Sequence, residues 1–314
     1  MPKVVIVGAG SVGTTIAYTL QISGVATEIV LIDSNPELAE GQSMDMNHGL
    51  PFVPPVSISA GNYPDCSDSD VIIITAGARQ KQGETRLDLV DRNAKICREI
   101  VDNIRPYTTG ALLLVVTNPV DLMTYVILQY SGLSPGQVIG SGTVLDSARF
   151  RYFLSQHCAI DTRNVHAYVI GEHGDSEVLL WSQVRMAGST LESFCTHCRK
   201  GCGPVDKTQI MGAVKNSAYH IIEAKGATNY GVALAVARII ESVIRNEHSV
   251  FTVSTLLRGE YGIEDCCLSV PCIVNASGVI NVIETDLSTS EANELTRSSL
   301  ILKELCSRIV CKAV

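Results

Sequence analysis

Basic residues are in short supply in this chain: 24 Lys and Arg stand against 32 Asp and Glu, a formal net charge of −8. That balance argues against nucleic acid or an anionic membrane as the main partner, because phosphate-rich surfaces are gripped by basic footprints. Long apolar runs are also missing, and none approaches the roughly 18 residues of a membrane span. The first residues do not resemble a signal peptide, since Lys3 is followed by only a few apolar residues before Gly8. Cysteine, by contrast, is plentiful. Eleven copies is an odd number in a long chain without a secretory signal, which favours reduced thiols in the cytoplasm over a disulfide framework. The 314 residues are 46% hydrophobic and 18% charged, enough for two domains and a substantial core.

The most informative stretch is the N-terminal one. Val4 to Val7 is a β-branched run without charge, as a strand buried on both faces requires. Gly8, Gly10 and Gly13 follow, with Val12 between the last two, and Thr14 to Ile22 then reads as an apolar-faced helix. In a dinucleotide fingerprint the first glycine makes the tight turn, the second lets backbone approach a pyrophosphate, and the third lets the helix close on the strand. The helix N-terminus adds N–H donors and partial positive charge. A second apolar run, Glu28 to Ile32, ends in Asp33, roughly 20 residues beyond the last glycine. A carboxylate there accepts from both ribose hydroxyls and repels a 2′-phosphate, so the pattern favours NAD over NADP.

Further strand-like runs at Val71–Thr75, Ala111–Val116 and Val138–Ile139 alternate with helical patterns, which predicts an α/β fold with a parallel sheet covered on both faces. Ligands on such sheets lie at the carboxyl ends of the strands. The residues to read are therefore Gly8 to Gly10, Asp33, the Gly77-Ala78 pair and Asn118-Pro119. Gly77 permits close backbone approach, and Asn118 offers both a donor and an acceptor, although Thr117-Asn118-Pro119 is also the composition of a plain turn. The polar segment from Ala78 to Arg86 precedes a long helix, Leu87 to Ile104, and is a candidate lid or a solvated basic loop.

In the second half, Val144 to Arg151 opens a helix in which Asp146 and Arg149 share a face and Arg151 points away. Val165 to Ile170 alternates as a strand and runs into Gly171-Glu172-His173-Gly174-Asp175. A histidine between glycines is sterically open to a ligand, and imidazole is the side chain best matched to proton transfer near neutral pH. A lone histidine is more often structural. Helices are predicted over Val205–Lys225, Ala233–Arg245 and Ser288–Lys312, with antiparallel strands at Val250–Leu257, Leu268–Val274 and Val279–Ile283.

These motifs, with Thr75-Ala-Gly77, Gly83-Glu-Thr-Arg86, Thr117-Asn118-Pro119 and Leu145-Asp146-Ser-Ala-Arg149, occur in the order found in the L-lactate/malate dehydrogenases, which the chain resembles over essentially its whole length. The resemblance implies an N-terminal Rossmann doubly wound parallel sheet (residues 1–141) and a C-terminal α+β substrate domain (142–314) ending in a helix. It implies NAD as cofactor, held by Gly8, Gly10, Val12, Gly13, Asp33, Gly77, Ala78 and Asn118. His173 would exchange the proton with the substrate's C2 oxygen, Asp146 would hold its ring, and Arg149 would grip the substrate carboxylate. Arg86 would arrive with the lid and polarise the carbonyl. Asn118 would bind substrate and nicotinamide ribose, and Thr228 would line the pocket beside the substrate methyl.

Within the family, malate dehydrogenases carry a second lid arginine where this chain has Gln80, with Arg79 next door. A neutral amide suits pyruvate and L-lactate, because an unpaired carboxylate in a closed site is strongly disfavoured. Arg151 and His166 match the positions with which several bacterial members bind fructose-1,6-bisphosphate at a subunit interface; both could equally be ordinary surface residues. The resemblance also implies a homotetramer. Alternatives are a malate or broad 2-hydroxyacid dehydrogenase, and a catalytically silent NAD(H)-binding redox sensor. Two places depart from the pattern. Pro36-Glu37-Leu38 lacks a basic residue often present on the adenine side, and Cys195-Thr-His197-Cys198 with Cys202 forms a compact cluster whose spacing fits no standard zinc pattern, so no metal is expected.

Overall fold

The computed structural model describes residues 1–78, 86–108, 110–198 and 203–311, without the side chains of Arg86 and residues 309–311. Its spine is a nine-stranded sheet. Six strands run parallel: β1 (Lys3–Val7), β2 (Glu28–Ile32), β3 (Ser57–Ala60), β4 (Val71–Ile74), β5 (Leu112–Val115) and β6 (Val138–Gly140). Their spatial order, 3-2-1-4-5-6, is that of the doubly wound dinucleotide-binding fold. The chain reverses direction across the sheet between β1 and β4, and that crevice is where such folds hold their ligands. Helices α1 (Ser11–Ser23), α2 (Pro36–His48), α3 (Arg86–Ile104) and α4 (Val120–Ser131) cover the faces. Val4, Val5, Ile6 and all of Val71 to Ile74 have no exposed surface. Each such side chain contributes about 1.5–3 kcal/mol by leaving water, so these two strands anchor the core.

The second half begins with α5 (Val144–Cys158) and a set of two-residue strands, β7 (Val165–His166), β8 (Val169–Ile170), β9 (Val178–Leu179), β10 (Arg185–Met186) and β11 (Ser189–Thr190). Helices α6 (Leu191–His197), α7 (Lys207–Lys225) and α8 (Tyr230–Ile244) follow. Then come an antiparallel meander, β12 (Ser249–Arg258), β13 (Glu264–Asn275) and β14 (Gly278–Val282), and a closing helix, α9 (Thr289–Cys311). The meander joins the parallel sheet through one register pair, Ser254 opposite Gly140. A second, smaller core around Phe150, Leu154, Val169 and Met186 lies beyond it.

The structure corrects the sequence reading in several places. Val165–Ile170 is not one strand: β7 pairs with β10, while β8 pairs with β9 in a different sheet. Ser57–Ala60 forms an edge strand that its composition, with one buried residue in four, did not announce. The first helix begins at Ser11 rather than Thr14, and α8 at Tyr230 rather than Ala233, because Gly10 and Asn229 sit at their N-caps. No described helix is long and apolar enough to cross a membrane.

Candidate active site

At the carboxyl end of β1 the three glycines divide their work as the fingerprint requires. Gly8 has φ +114°, and a Cβ there would meet the Ala76 nitrogen at 2.6 Å. A Cβ on Gly13 would collide with Thr75 Oγ1 at 2.8 Å, so this position sets the closeness of α1 to the sheet. Gly10 faces open space, with nothing within 4 Å of its would-be Cβ. That is the position at which backbone N–H groups can approach a pyrophosphate. Asp33 ends β2 and is fixed from both sides: Oδ2 accepts from the Ala9 N–H at 2.8 Å and Oδ1 from the Asn35 N–H at 2.9 Å. Gly8, Gly10 and Asp33, with Gly77 and Ala78, line a cavity of about 450 Å³. The cradle fits a dinucleotide, and the acidic residue fits a ribose with a free 2′-hydroxyl.

The crevice continues through a bridge that sequence reading missed. Asn93 is a buried amide on the apolar face of α3, three residues from Val90 and four from Cys97. Its Oδ1 accepts from the Ala78 N–H and its Nδ2 donates to the Asn118 carbonyl, both at 2.8 Å. It therefore ties together the ends of β4 and β5 beside the Asn118-Pro119 peptide, which is cis. The signal was a lone amide inside an apolar stripe.

Asp146, in the first turn of α5, is the centre of the second cluster. Its Oδ2 lies 2.5 Å from His173 Nδ1 and its Oδ1 accepts from Arg149 Nη1 at 2.7 Å. Burial by itself would push the Asp146 carboxyl up, but the His173 ring and the Arg149 guanidinium prevail and hold it below the ordinary aspartate value. Burial would likewise lower His173; Asp146 first, then Asp121 and Glu177, push the ring up to about 9. With Nδ1 on the carboxylate, the other ring nitrogen is left for the crevice, and 24% of the side chain is exposed. Such an imidazole can hold and release a proton, and the guanidinium beside it can take a carboxylate.

The local sequence explains why these groups meet. Thr143 Oγ1 donates to the Val169 carbonyl at 2.5 Å, and Ser147 Oγ accepts the Val169 N–H at 2.9 Å. Small hydroxyls in the first turns of α5 thus fasten it to β8, the strand that leads into His173. The following segment, residues 171–177, is braced from four elements. Asp121 in α4 accepts the His173 N–H at 2.8 Å. In α7, Lys215 and Tyr219 each bond Asp175 at 3.0 Å. Gly171 exchanges backbone hydrogen bonds with Ser269 in β13, and Ser298 in α9 accepts the Glu172 N–H at 2.8 Å.

Two buried carboxyls here escaped the sequence reading. Burial pushes Asp121 up to about 6, and burial together with the Asp146 charge pushes Glu177 up to about 8. Glu177 faces a cavity of about 810 Å³ shared with Pro119, Leu122, Glu172 and Lys215, and its Oε1 has no hydrogen-bond partner among the described residues. A single acid in the apolar run after Asn118-Pro119, and another just before Val178, were the available signals.

The remaining residues fall elsewhere. Thr228 is half-buried in the connection between α7 and α8. Arg151 turns from the Asp146 face: Nε donates to the Ala167 carbonyl at 2.9 Å and the guanidinium lies 5.2 Å from the Tyr168 ring. His166, in β7 one residue before Ala167, is exposed. Val12 is partly buried against the core. Arg79, Gln80 and Cys202 lie outside the described residues, as does the Arg86 side chain. No group of three metal-ligating side chains occurs among the described residues.

Comparison with known proteins agrees with this geometry. The sequence model of the lactate/malate dehydrogenase NAD binding domain matches residues 2–140, and that of the lactate/malate dehydrogenase alpha/beta C-terminal domain matches residues 143–311. L-lactate dehydrogenase of Acetivibrio thermocellus is 53% identical over 303 residues, 96% of each chain. That of Thermoanaerobacter sp. is 51% identical over 309 residues, 98% of this chain and 99% of the relative. Among solved structures, the minor L-lactate dehydrogenase of Enterococcus mundtii superposes with a TM-score of 0.94 at 42% identity over 98% of both chains. A lactate dehydrogenase from a deep-sea metagenome library gives 0.95 at 41%, over 98% of this chain and 99% of that one. A dinucleotide cradle at one end of the crevice, a buried carboxylate holding imidazole and guanidinium at the other, and matches along nearly the whole length lead to one assignment: the chain belongs to the lactate/malate dehydrogenase family, NAD-dependent oxidoreductases whose N-terminal half binds NAD(H).

Proposed function

We propose that this chain is an L-lactate dehydrogenase that interconverts pyruvate and (S)-lactate at the expense of NADH and NAD⁺, in fermentative glycolysis. The observation that carries the reading is Asp146, which holds His173 at 2.5 Å and Arg149 at 2.7 Å on one carboxylate. Bound NADH supplies the hydride for the keto carbon. Arg149 takes the substrate carboxylate as a two-pronged hydrogen-bond acceptor, which fixes the face presented to the cofactor. His173 donates its proton to the C2 oxygen as negative charge develops there, and Asp146 stabilises the imidazolium before transfer and orients the ring throughout. Arg86 polarises the same oxygen, Asn118 contacts substrate and ribose, and Thr228 lines the methyl side.

Gln80 supports pyruvate over oxaloacetate, since a neutral amide leaves a second carboxylate without a partner. Breaking a buried charge pair costs about 3–5 kcal/mol, which corresponds to roughly a hundredfold or more in kcat/KM. NADH oxidation measured with each keto acid tests this. A ratio near one, or in favour of oxaloacetate, overturns it; no turnover with either leaves the cofactor-binding sensor as the reading.

The finer reading is a cytoplasmic homotetramer, divided at residues 141 and 142 into cofactor and substrate domains, whose affinity for pyruvate rises with fructose-1,6-bisphosphate. The placement of Arg151 on the far face of α5, one residue from the exposed His166 in its contact with Ala167, supports an anion site away from the substrate. Arg151→Gln should abolish any lowering of the pyruvate KM by the sugar bisphosphate while leaving unactivated turnover intact. An unresponsive parent enzyme rules out this site.

A further inference from the structure

The cysteine cluster of the second half takes no part in the chemistry above. Among the described residues, Cys66, Cys97, Cys158, Cys266, Cys267, Cys272 and Cys306 are buried, whereas Cys195 and Cys198 reach the surface. Burial pushes the thiols of Cys66, Cys97 and Cys306 up to about 12 and those of Cys266, Cys267 and Cys272 higher still. A thiol held protonated and out of solvent is a poor nucleophile.

Cys195 and Cys198 are placed differently. They close the last turn of α6, where the Cys198 N–H donates to the Cys195 carbonyl at 3.4 Å. A hydrogen-bonded four-residue turn keeps its end Cα atoms within about 7 Å. Disulfides span Cα separations of about 4.4–6.8 Å. Cys195 also lines a cavity of about 530 Å³ with Leu191, Glu192, Thr196, Val205 and Lys207. The ammonium of Lys207 donates to Glu192 at 3.3 Å on its wall. A cavity of this size admits a small peptide thiol, and the cation can meet its carboxylates.

We infer that Cys195 and Cys198 form a redox-active thiol pair that exchanges with low-molecular-weight disulfides and closes to an internal disulfide. In the first step the Cys195 thiolate attacks one sulfur of the small disulfide; an S–S bond forms to Cys195 and one small thiol leaves. The Cys198 thiolate then attacks the Cys195 sulfur, forming the internal S–S bond and expelling the second small thiol. Two electrons and two protons pass from the protein to the small disulfide, and an excess of small thiol reverses both steps.

The experiment treats the native full-length protein with oxidised glutathione, blocks remaining thiols and digests with trypsin. Cleavage after Arg185 and Arg199 releases residues 186–199 with both cysteines, and Cys202 falls in a separate peptide, 201–207. The expected product is peptide 186–199 lighter by two hydrogens, formed at least about tenfold faster than any modification of Cys97, the burial-silenced reference. Cys198→Ser should stop at one glutathione on Cys195, and Cys195→Ser should abolish the internal bond. A link between peptides 186–199 and 201–207, faster reaction at Cys97, or an unmodified 186–199 peptide would each overturn the inference.

Discussion

At the scale of single residues, the ion chemistry of the site makes two measurable statements. His173 is raised to about 9, chiefly by Asp146 against the opposing effect of burial, so its proton is held across the neutral range. In the proposed mechanism, pyruvate reduction consumes that proton. The reductive kcat/KM should therefore be flat through neutrality and fall as pH rises past about 9. In Asp146→Asn the imidazolium loses its main support, so the falling limb should move down by about two pH units or more. Activity near neutral pH should drop about 10²–10⁴-fold, the usual worth of a positioned acid. A pH–rate profile of both proteins checks this, and an unmoved limb contradicts the coupling.

Glu177 gives the opposite kind of signature. In the folded protein burial and the Asp146 charge keep its proton until about 8, whereas a free glutamate loses it near 4.5. Between those values the native state binds more protons than the unfolded one, so stability declines as pH rises, by up to about 1.4 kcal/mol per unit. Glu177→Gln removes that slope. The Tm of the variant relative to the parent should climb steadily from pH 5 to 8, and a constant difference would show that the carboxyl is ionised throughout.

Among the elements, the fastening of α5 to β8 is the joint on which the site depends. Ser147→Ala leaves the buried Val169 N–H without its acceptor, which should cost about 1–3 kcal/mol of stability in denaturant unfolding. Turnover should fall with it, because β8 leads directly into the His173 segment. How much of this was legible beforehand depended on whether neighbouring residues carried the information. The other five parallel strands, the glycine turn and Asp33 were readable because burial on both faces and left-handed backbone leave local marks. Ser57–Ala60 was not, since an edge strand with one buried residue in four is held by its partner, β2, rather than by its own pattern. The pairing of Asp146 with Arg149 followed from helical spacing, but its meeting with His173, 27 positions on, came through a known family and not from periodicity. Asn93, Asp121 and Glu177 announced themselves only as polar residues in apolar surroundings, and what they hold together is visible only once the strands are stacked.

For the whole molecule, the parallel half and the meander meet at the pair Gly140 and Ser254. A Cβ at Gly140 would meet Thr124 Oγ1 and come within 2.8 Å of the Ser254 Cβ. Gly140→Val should force the two strands apart and lower stability by about 1–3 kcal/mol, the usual range for overpacking, as read by Tm. An unchanged Tm would mean that the seam yields without loss.

The brace on residues 171–177 from α9 reaches across 126 positions of chain, from Glu172 to Ser298. Ser298 is made long after His173, so a nascent chain in which Asp146, Arg149 and His173 are already present still lacks the support behind that imidazole. In the proposed mechanism competence arrives only when α9 docks, so a chain truncated before α9 should hold nucleotide and turn nothing over.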